Sequence, residues 1–170
     1  MTRIGFVALA LVLAAAGCRR AAQEGVTPSQ TLEDFTLNQN SRGAPNWRLH
    51  ARSAILHEET QLAGLTRPNM EFYENGKAVS RVTGLAGRVH METHDVHLSS
   101  SVVLEVLDEH TVLYTDYLDY SSKRQLFTTQ AEVLVVKPQG RLRGRGMEAK
   151  PDLSEIRIFH QRSVVKEGGA

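Results

Sequence analysis

One eight-residue pattern, apolar-x-small-x-x-apolar-x-apolar, recurs four times and restricts the fold more than any other feature. It reads Leu49-x-Ala51-x-x-Ala54-x-Leu56, then Val82-x-Gly84-x-x-Gly87-x-Val89. Leu113-x-Thr115-x-x-Leu118-x-Tyr120 and Leu142-x-Gly144-x-x-Met147-x-Ala149 follow. The small residues at 51, 84, 115 and 144 step by 33, 31 and 29. Repetition at this period means one supersecondary unit stacked on copies of itself.

Each unit continues alike. A second alternating pair comes at Leu62/Gly64, Val96/Leu98, Leu126/Thr128 and Ile156/Ile158, and a third apolar segment at Met70/Phe72, Val102/Leu104, Val133/Val135 and Val164/Val165. Turn residues close each unit at Asn75-Gly76, Asp108-Glu109, Gln139-Gly140 and Gly168-Gly169. After residue 30 no stretch keeps a helical period, and the segments are rich in Val, Leu, Thr and Tyr. Period-two apolar positions turn one strand face inward. The two-residue gap breaks that alternation without losing the face, as a β-bulge or sharp corner does. A small residue there lets the backbone bend or approach its neighbour.

Four stacked corners predict an all-β domain: an elongated, twisted jelly roll with two facing antiparallel sheets forming a V-shaped trough. An ordinary β-sandwich with strand–turn rhythm is the competing architecture. A hairpin precedes the first unit, from Leu32-x-x-Phe35-x-Leu37 through the Ser41–Pro45 turn to Trp47-x-Leu49.

The N-terminus reads differently. Met1-Thr2-Arg3 is a short basic start, and Ile4–Gly17 is an apolar or small run ending Ala15-Ala16-Gly17-Cys18. A membrane-spanning helix takes about 20 apolar residues, so this run reads as a secretory signal. Its ending resembles a bacterial lipobox, with Ala15 where Leu, Val or Ile is commoner; the match makes Cys18 an acylated first residue. A plain cleaved signal with an incidental cysteine competes. Acyl chains worth ~0.8 kcal/mol per buried CH₂ would hold the protein on a bilayer. The expected organisation is a signal at 1–17, an acylated N-terminus and flexible tether at 18–30, and a β domain at 31–170.

Charge and cysteine count exclude several classes. The chain of 170 residues carries 20 Lys+Arg against 19 Asp+Glu, and loss of Arg3 with the signal leaves the domain neutral. A nucleic-acid binder needs a basic surface to displace counterions. One cysteine allows neither an internal disulfide nor a multi-cysteine zinc site.

With Phe35-Thr36-Leu37, Trp47-Arg48-Leu49-His50-Ala51-Arg52-Ser53-Ala54, Phe72-Tyr73-Glu74-Asn75-Gly76 and Leu142-Arg143-Gly144-Arg145-Gly146-Met147, the chain resembles the LptC family of lipopolysaccharide-export proteins, within the wider LptA/OstA-like jelly-roll group. The likeness covers about residues 31 to 166. It implies a periplasmic protein that takes lipopolysaccharide from an inner-membrane ABC transporter (LptBFG-like), holds its acyl chains in the trough and passes it to an LptA-like jelly-roll protein. Partners of this kind add edge to edge. Better-known members carry an N-terminal transmembrane helix, where this chain has Cys18. Inner-membrane anchoring is the expectation, with the outer membrane as the alternative.

An acyl-chain trough needs moderate apolar side chains and an open side. The candidate lining is Trp47, Leu49, Met70, Phe72, Val82, Val89, Leu98, Leu104, Leu113, Leu118, Val133 and Met147; plain core packing explains each one singly. Ala51, Gly84, Thr115 and Gly144 are the corners. The resemblance makes Ile156, Ile158, Val164 and Val165 the docking edge for a downstream jelly roll, followed by a frayed tail, with the Phe35–Leu37 end toward the transporter. Arg141, Arg143 and Arg145 at one rim could meet phosphates, although alternating arginines more often form a solvated strand face.

Catalysis and cofactors have little support. His90-x₃-His94-x₂-His97 with Asp95 has ligand-like spacing, but on a strand 97 points away from 90 and 94, so a polar hairpin tip accounts better for it. No Gly-x-Ser-x-Gly and no phosphate-cradling loop is present. The expectation is a binding protein without metal or cofactor. Its rival role is a free-standing, membrane-anchored glycolipid-binding lipoprotein with no transporter.

Overall fold

The computed structural model of the protein describes residues 29–41 and 43–165; the signal segment, Cys18 and the tail after Val165 lie outside them. The described chain is all-β. Its strands are β1 (Ser29–Ser41), β2 (Ala44–His57), β3 (Leu62–Thr66), β4 (Asn69–Glu74), β5 (Lys77–Thr83) and β6 (Ala86–His90). They continue with β7 (Val96–Val106), β8 (Thr111–Ser121), β9 (Leu126–Lys137), β10 (Gly140–Ala149) and β11 (Ile156–Val165). All pair antiparallel in one 11-stranded sheet, with β1 joined to β2 at one edge and β11 to β10 at the other.

The sheet is folded along the line of corners. β2 pairs with β4 over Trp47–His50 and with β3 over Ser53–His57, changing partner at Ala51. β5 passes to β6 at Gly84-Leu85. β8 loses register with β9 after Thr115, and β10 slips against β11 at Gly144. All four small residues of the repeat therefore sit where the sheet bends. The two facing sheets expected from sequence are two walls of one sheet, because most strands run through the bend. Counting β3–β4 and β5–β6 as one strand each, the eleven strands make nine in simple meander.

Each sequence unit is a hairpin. Its second and third apolar segments are the two halves of the return strand: Val96/Leu98 and Val102/Leu104 both lie on β7, and Leu126/Thr128 and Val133/Val135 both lie on β9. Turns 74–77, 106–111 and 137–140 make the lip of the first wall; turns 57–62, 90–96, 121–126 and 149–156 make the lip of the second.

Bending a ladder strands backbone groups, and buried ones need partners. At the β8–β9 bend side chains supply them. Thr115 Oγ1 donates to the Glu132 carbonyl (2.9 Å), Thr129 Oγ1 accepts from the Ala131 N–H (3.1 Å), and the Tyr117 hydroxyl accepts from the Gln130 N–H (3.0 Å). At Gly144 the constraint is space: a Cβ there would lie 2.3 Å from Ile158 Cγ2 and 2.9 Å from the His160 carbonyl oxygen.

Candidate functional site

Strand register lines up one apolar row across each wall. On the first wall, register links Leu37, Leu49, Met70, Val82, Leu104, Leu113, Val135, Leu142 and Val164 in one row, one residue from each of the nine strands. On the second, the row is Leu56, Ala63, Val89, Val96, Tyr120, Phe127, Ala149 and Ile156. Eight strand spacings make the first crossing about 38 Å long, and seven make the second about 34 Å.

All twelve candidate lining residues are buried, Trp47, Leu49, Met70, Val82, Val89, Leu104, Leu113, Leu118 and Met147 completely. The walls meet through aromatic contacts: Phe72 lies edge-on to Tyr120 at 4.9 Å and to Phe127 at 5.2 Å, and Trp47 to Tyr120 at 6.3 Å. The expected side-open furrow is thus largely filled by the protein's own side chains. Small corner residues bring the walls near enough to interdigitate. Burial relaxes toward the ends, where Phe35 and Leu37 on β1 and Ile156 and Ile158 on β11 are half-buried and Leu32 is exposed.

One opening lies between the lips, a cavity of about 470 Å³. Phe72, Tyr73 and Val79 line it from the first wall; Tyr120, Arg124, Leu126, Lys150 and Pro151 line it from the second. Its cations are paired, Arg124 with Glu148 at 2.6 Å and Lys150 with Glu155, and Glu74 and Asp152 also border it. At its base, burial pushes the Tyr120 hydroxyl up to about 12, with the Asp95 charge adding to the shift. Tyr120 is neutral at any ordinary pH and forms part of an apolar floor.

The arginines stand elsewhere. Arg141 and Arg143 belong to rows on the outer face of the first wall, beside Val136 and Leu134, and Arg143 borders a depression of about 410 Å³ with Val103 and Tyr114. Arg145, exposed, faces Glu132 across the ladder. None of the three lines the cavity between the lips.

The histidines part company too. His90 Nδ1 accepts from the Glu92 and Thr93 N–H groups (3.4 Å each), His94 packs edge-on to Trp47 at 6.2 Å, and His97 Nδ1 meets Asp119 Oδ1 at 2.6 Å while stacking on Tyr117. Among the described residues no three His, Cys, Asp or Glu side chains converge to hold a metal.

β1 and β11 are the free edges; the first-wall row reaches both, and the second-wall row reaches β11. Natural edges are commonly blunted with proline or lysine. Neither Ser29–Ser41 nor Ile156–Val165 contains either residue. Sequence reasoning placed an edge at Ile156–Val165 but overlooked the cavity between the lips, whose lining joins strand residues of β4, β5 and β8 to the turns at 121–126 and 149–156.

A folded sheet whose apolar interior reaches edge strands free of proline and lysine defines a β-jelly roll of the open-ended kind. Over residues 6–165 the chain matches the family described as "Lipopolysaccharide-assembly, LptC-related", and it belongs to that family. No curated protein matches it. Membership ties the chain to lipopolysaccharide transport, in a family of transport and binding proteins, and to the periplasmic side of the cell envelope. Among the described residues no helix is long and apolar enough to cross a membrane.

Proposed function

We propose that the protein receives lipopolysaccharide from an inner-membrane ABC transporter, shelters its acyl chains between the two walls and delivers it to an LptA-like jelly-roll protein. The observation that carries this reading is the pair of apolar rows, one running from Leu37 on β1 to β11 and the other from Leu56 on β2 to β11. Partners adding to those edges by strand pairing would extend the same rows into neighbouring proteins. The Phe35–Leu37 end faces the transporter, and Ile156, Ile158, Val164 and Val165 form the edge for the downstream partner. The lining set of Trp47, Leu49, Met70, Phe72 and their row neighbours takes the chains, each methylene gaining ~0.8 kcal/mol on leaving water. Because the interior is filled, loading parts the lips at the Phe72–Tyr120–Phe127 contacts. Cys18, acylated after signal cleavage, anchors the domain to the inner membrane through the segment that follows it.

Site-specific photo-crosslinking in cells tests the reading. A light-activated residue replacing Phe72 or Leu104 is expected to capture lipopolysaccharide, and one at 164 an LptA-like protein. Glu71 and Arg157 are controls on other faces. Capture of lipopolysaccharide from the controls but not from 72 or 104 would sink the proposal.

A further inference from the structure

Ser80 and Trp47 stand out in the interior. Both residues are completely buried, and neither Ser80 Oγ nor Trp47 Nε1 has a hydrogen-bond partner. Buried polar groups in folded proteins are nearly always paired, as Thr115 and Thr129 are, by bonds to backbone at the β8–β9 bend. A third unpartnered atom, Asn69 Oδ1, belongs to the alternate, outward set of β4, between His50 and Thr83.

The two interior orphans share a row. Trp47 is opposite Phe72, and Phe72 is opposite Ser80, on adjacent strands β2, β4 and β5. Phe72, between them, lines the cavity at the lips, as do Asn46 and Val79, the chain neighbours of Trp47 and Ser80. The row lies two residues in from Glu74 at the lip, a depth of about 7 Å. Deeper rows of the same wall are hydrocarbon: Leu49, Met70, Val82 and Leu104.

An indole N–H can only donate, and a serine hydroxyl can donate or accept. One kind of atom satisfies both, an oxygen acceptor that enters with an otherwise apolar ligand. We infer that the Trp47–Phe72–Ser80 row is a hydrogen-bonding subsite for the acyl carbonyl of a bound lipid, gripping the chain at its head while the methylenes lie deeper. This rests on the trough proposed above and adds a register mark to it. A site with donors left unpaired by the wrong ligand discriminates against that ligand, so the subsite selects acyl chains over plain alkyl chains.

The test uses two soluble probes, a sugar bearing one ester-linked dodecanoyl chain and the same sugar bearing an ether-linked dodecyl chain. Equilibrium dialysis against the intact protein, below the micelle-forming concentration, gives both affinities. The wild type is expected to favour the ester about fivefold, the worth of one hydrogen bond. Ser80→Ala should cut that preference to about twofold and leave ether binding unchanged. The Ser80→Ala/Trp47→Phe double variant should abolish it. Ser80→Ala should also raise the melting temperature, since it removes a desolvated hydroxyl with no partner. Equal affinities in the wild type, or an ester preference that stays at about fivefold in Ser80→Ala, would overturn the subsite while leaving the trough standing. Failure of both probes to bind would remove the trough reading, and the subsite with it.

Discussion

The same corner is built in two ways. Between β2 and β7 the meander strands break at the bend: β3 yields to β4 at Arg67-Pro68, and β5 to β6 at Gly84-Leu85. Backbone bonds then stitch the broken ends together, Arg67 N–H to the Leu85 carbonyl (2.9 Å), Gly84 N–H to the Pro68 carbonyl (3.2 Å) and Leu85 N–H to the Ser100 carbonyl (3.0 Å). From β8 to β11 the strands run on through bulges, and side chains or glycine space absorb the misfit. In the broken region the main chain satisfies itself, whereas the continuous region depends on particular side chains. Substitutions at continuous corners should therefore cost more than comparable ones at broken corners, unless the added atoms strike backbone.

Gly144→Val is the hardest blow to the continuous region. Its Cβ would sit 2.3 Å from Ile158 Cγ2 and 2.9 Å from the His160 carbonyl, so β11 must move. We expect a loss of about 3 kcal/mol in urea unfolding and fast amide exchange along β11. Unchanged melting with intact β11 protection would refute the corner's packing role.

Tyr120 couples the walls and gives a pH signature. Its folded pKa is raised from 10.0 to about 12, so the stabilisation is complete below 10 and lost as pH climbs through 12. Alkaline titration of unfolding should show a fall of up to about 2 kcal/mol in that window, largely absent in Tyr120→Phe.

Two glycines of the broken region sharpen the contrast. A Cβ at Gly87 would lie 2.7 Å from the His97 carbonyl, but at Gly84 it would lie 3.1 Å from that of Ser99. Gly87→Ala should cost about 1–2 kcal/mol and Gly84→Ala less than about 1 kcal/mol in chemical denaturation. The reverse order would contradict the stitched geometry.

Thr115→Val keeps the shape and deletes the bond to the Glu132 carbonyl. The expected cost is about 1 kcal/mol, with Thr115→Ser retaining most of the stability. A neutral Thr115→Val would mean that the bend needs no side-chain help.

The smallest effect belongs to the outer face. The Tyr73 hydroxyl (2.8 Å), and after it Arg81 (3.0 Å), hold the Glu71 carboxyl below its usual range. The stability it lends is present above the ordinary carboxylate pKa and disappears as pH falls through the lowered one. Glu71→Gln should remove under about 1 kcal/mol at neutral pH and flatten the acid limb.

The repeat made the bends legible, because a tight approach needs a small side chain and 51, 84, 115 and 144 are small. It also showed which face points inward, through period-two alternation. Strand continuity was harder to read. The Arg67-Pro68 break had a signal in its proline, but β7 turns through Ser100 and Ser101 at φ 64° and 62° with no glycine to mark it. Only neighbouring strands impose that conformation. The filled interior was also hidden, since spacing says which residues face one another and not how far apart the walls stand. The Trp47–Ser80 juxtaposition escaped for a related reason: the residues lie 33 apart in sequence, and their shared row depends on β4 between them.

Every unit leaves one lip and returns to it, contributing one residue per strand to each row. Adding or deleting a whole hairpin would therefore change the length of the conduit by two strand spacings, about 10 Å, without altering its bore. Length and gauge are separately adjustable in such an architecture, so a wider or narrower envelope can be matched by repeat number alone while the same cargo still fits.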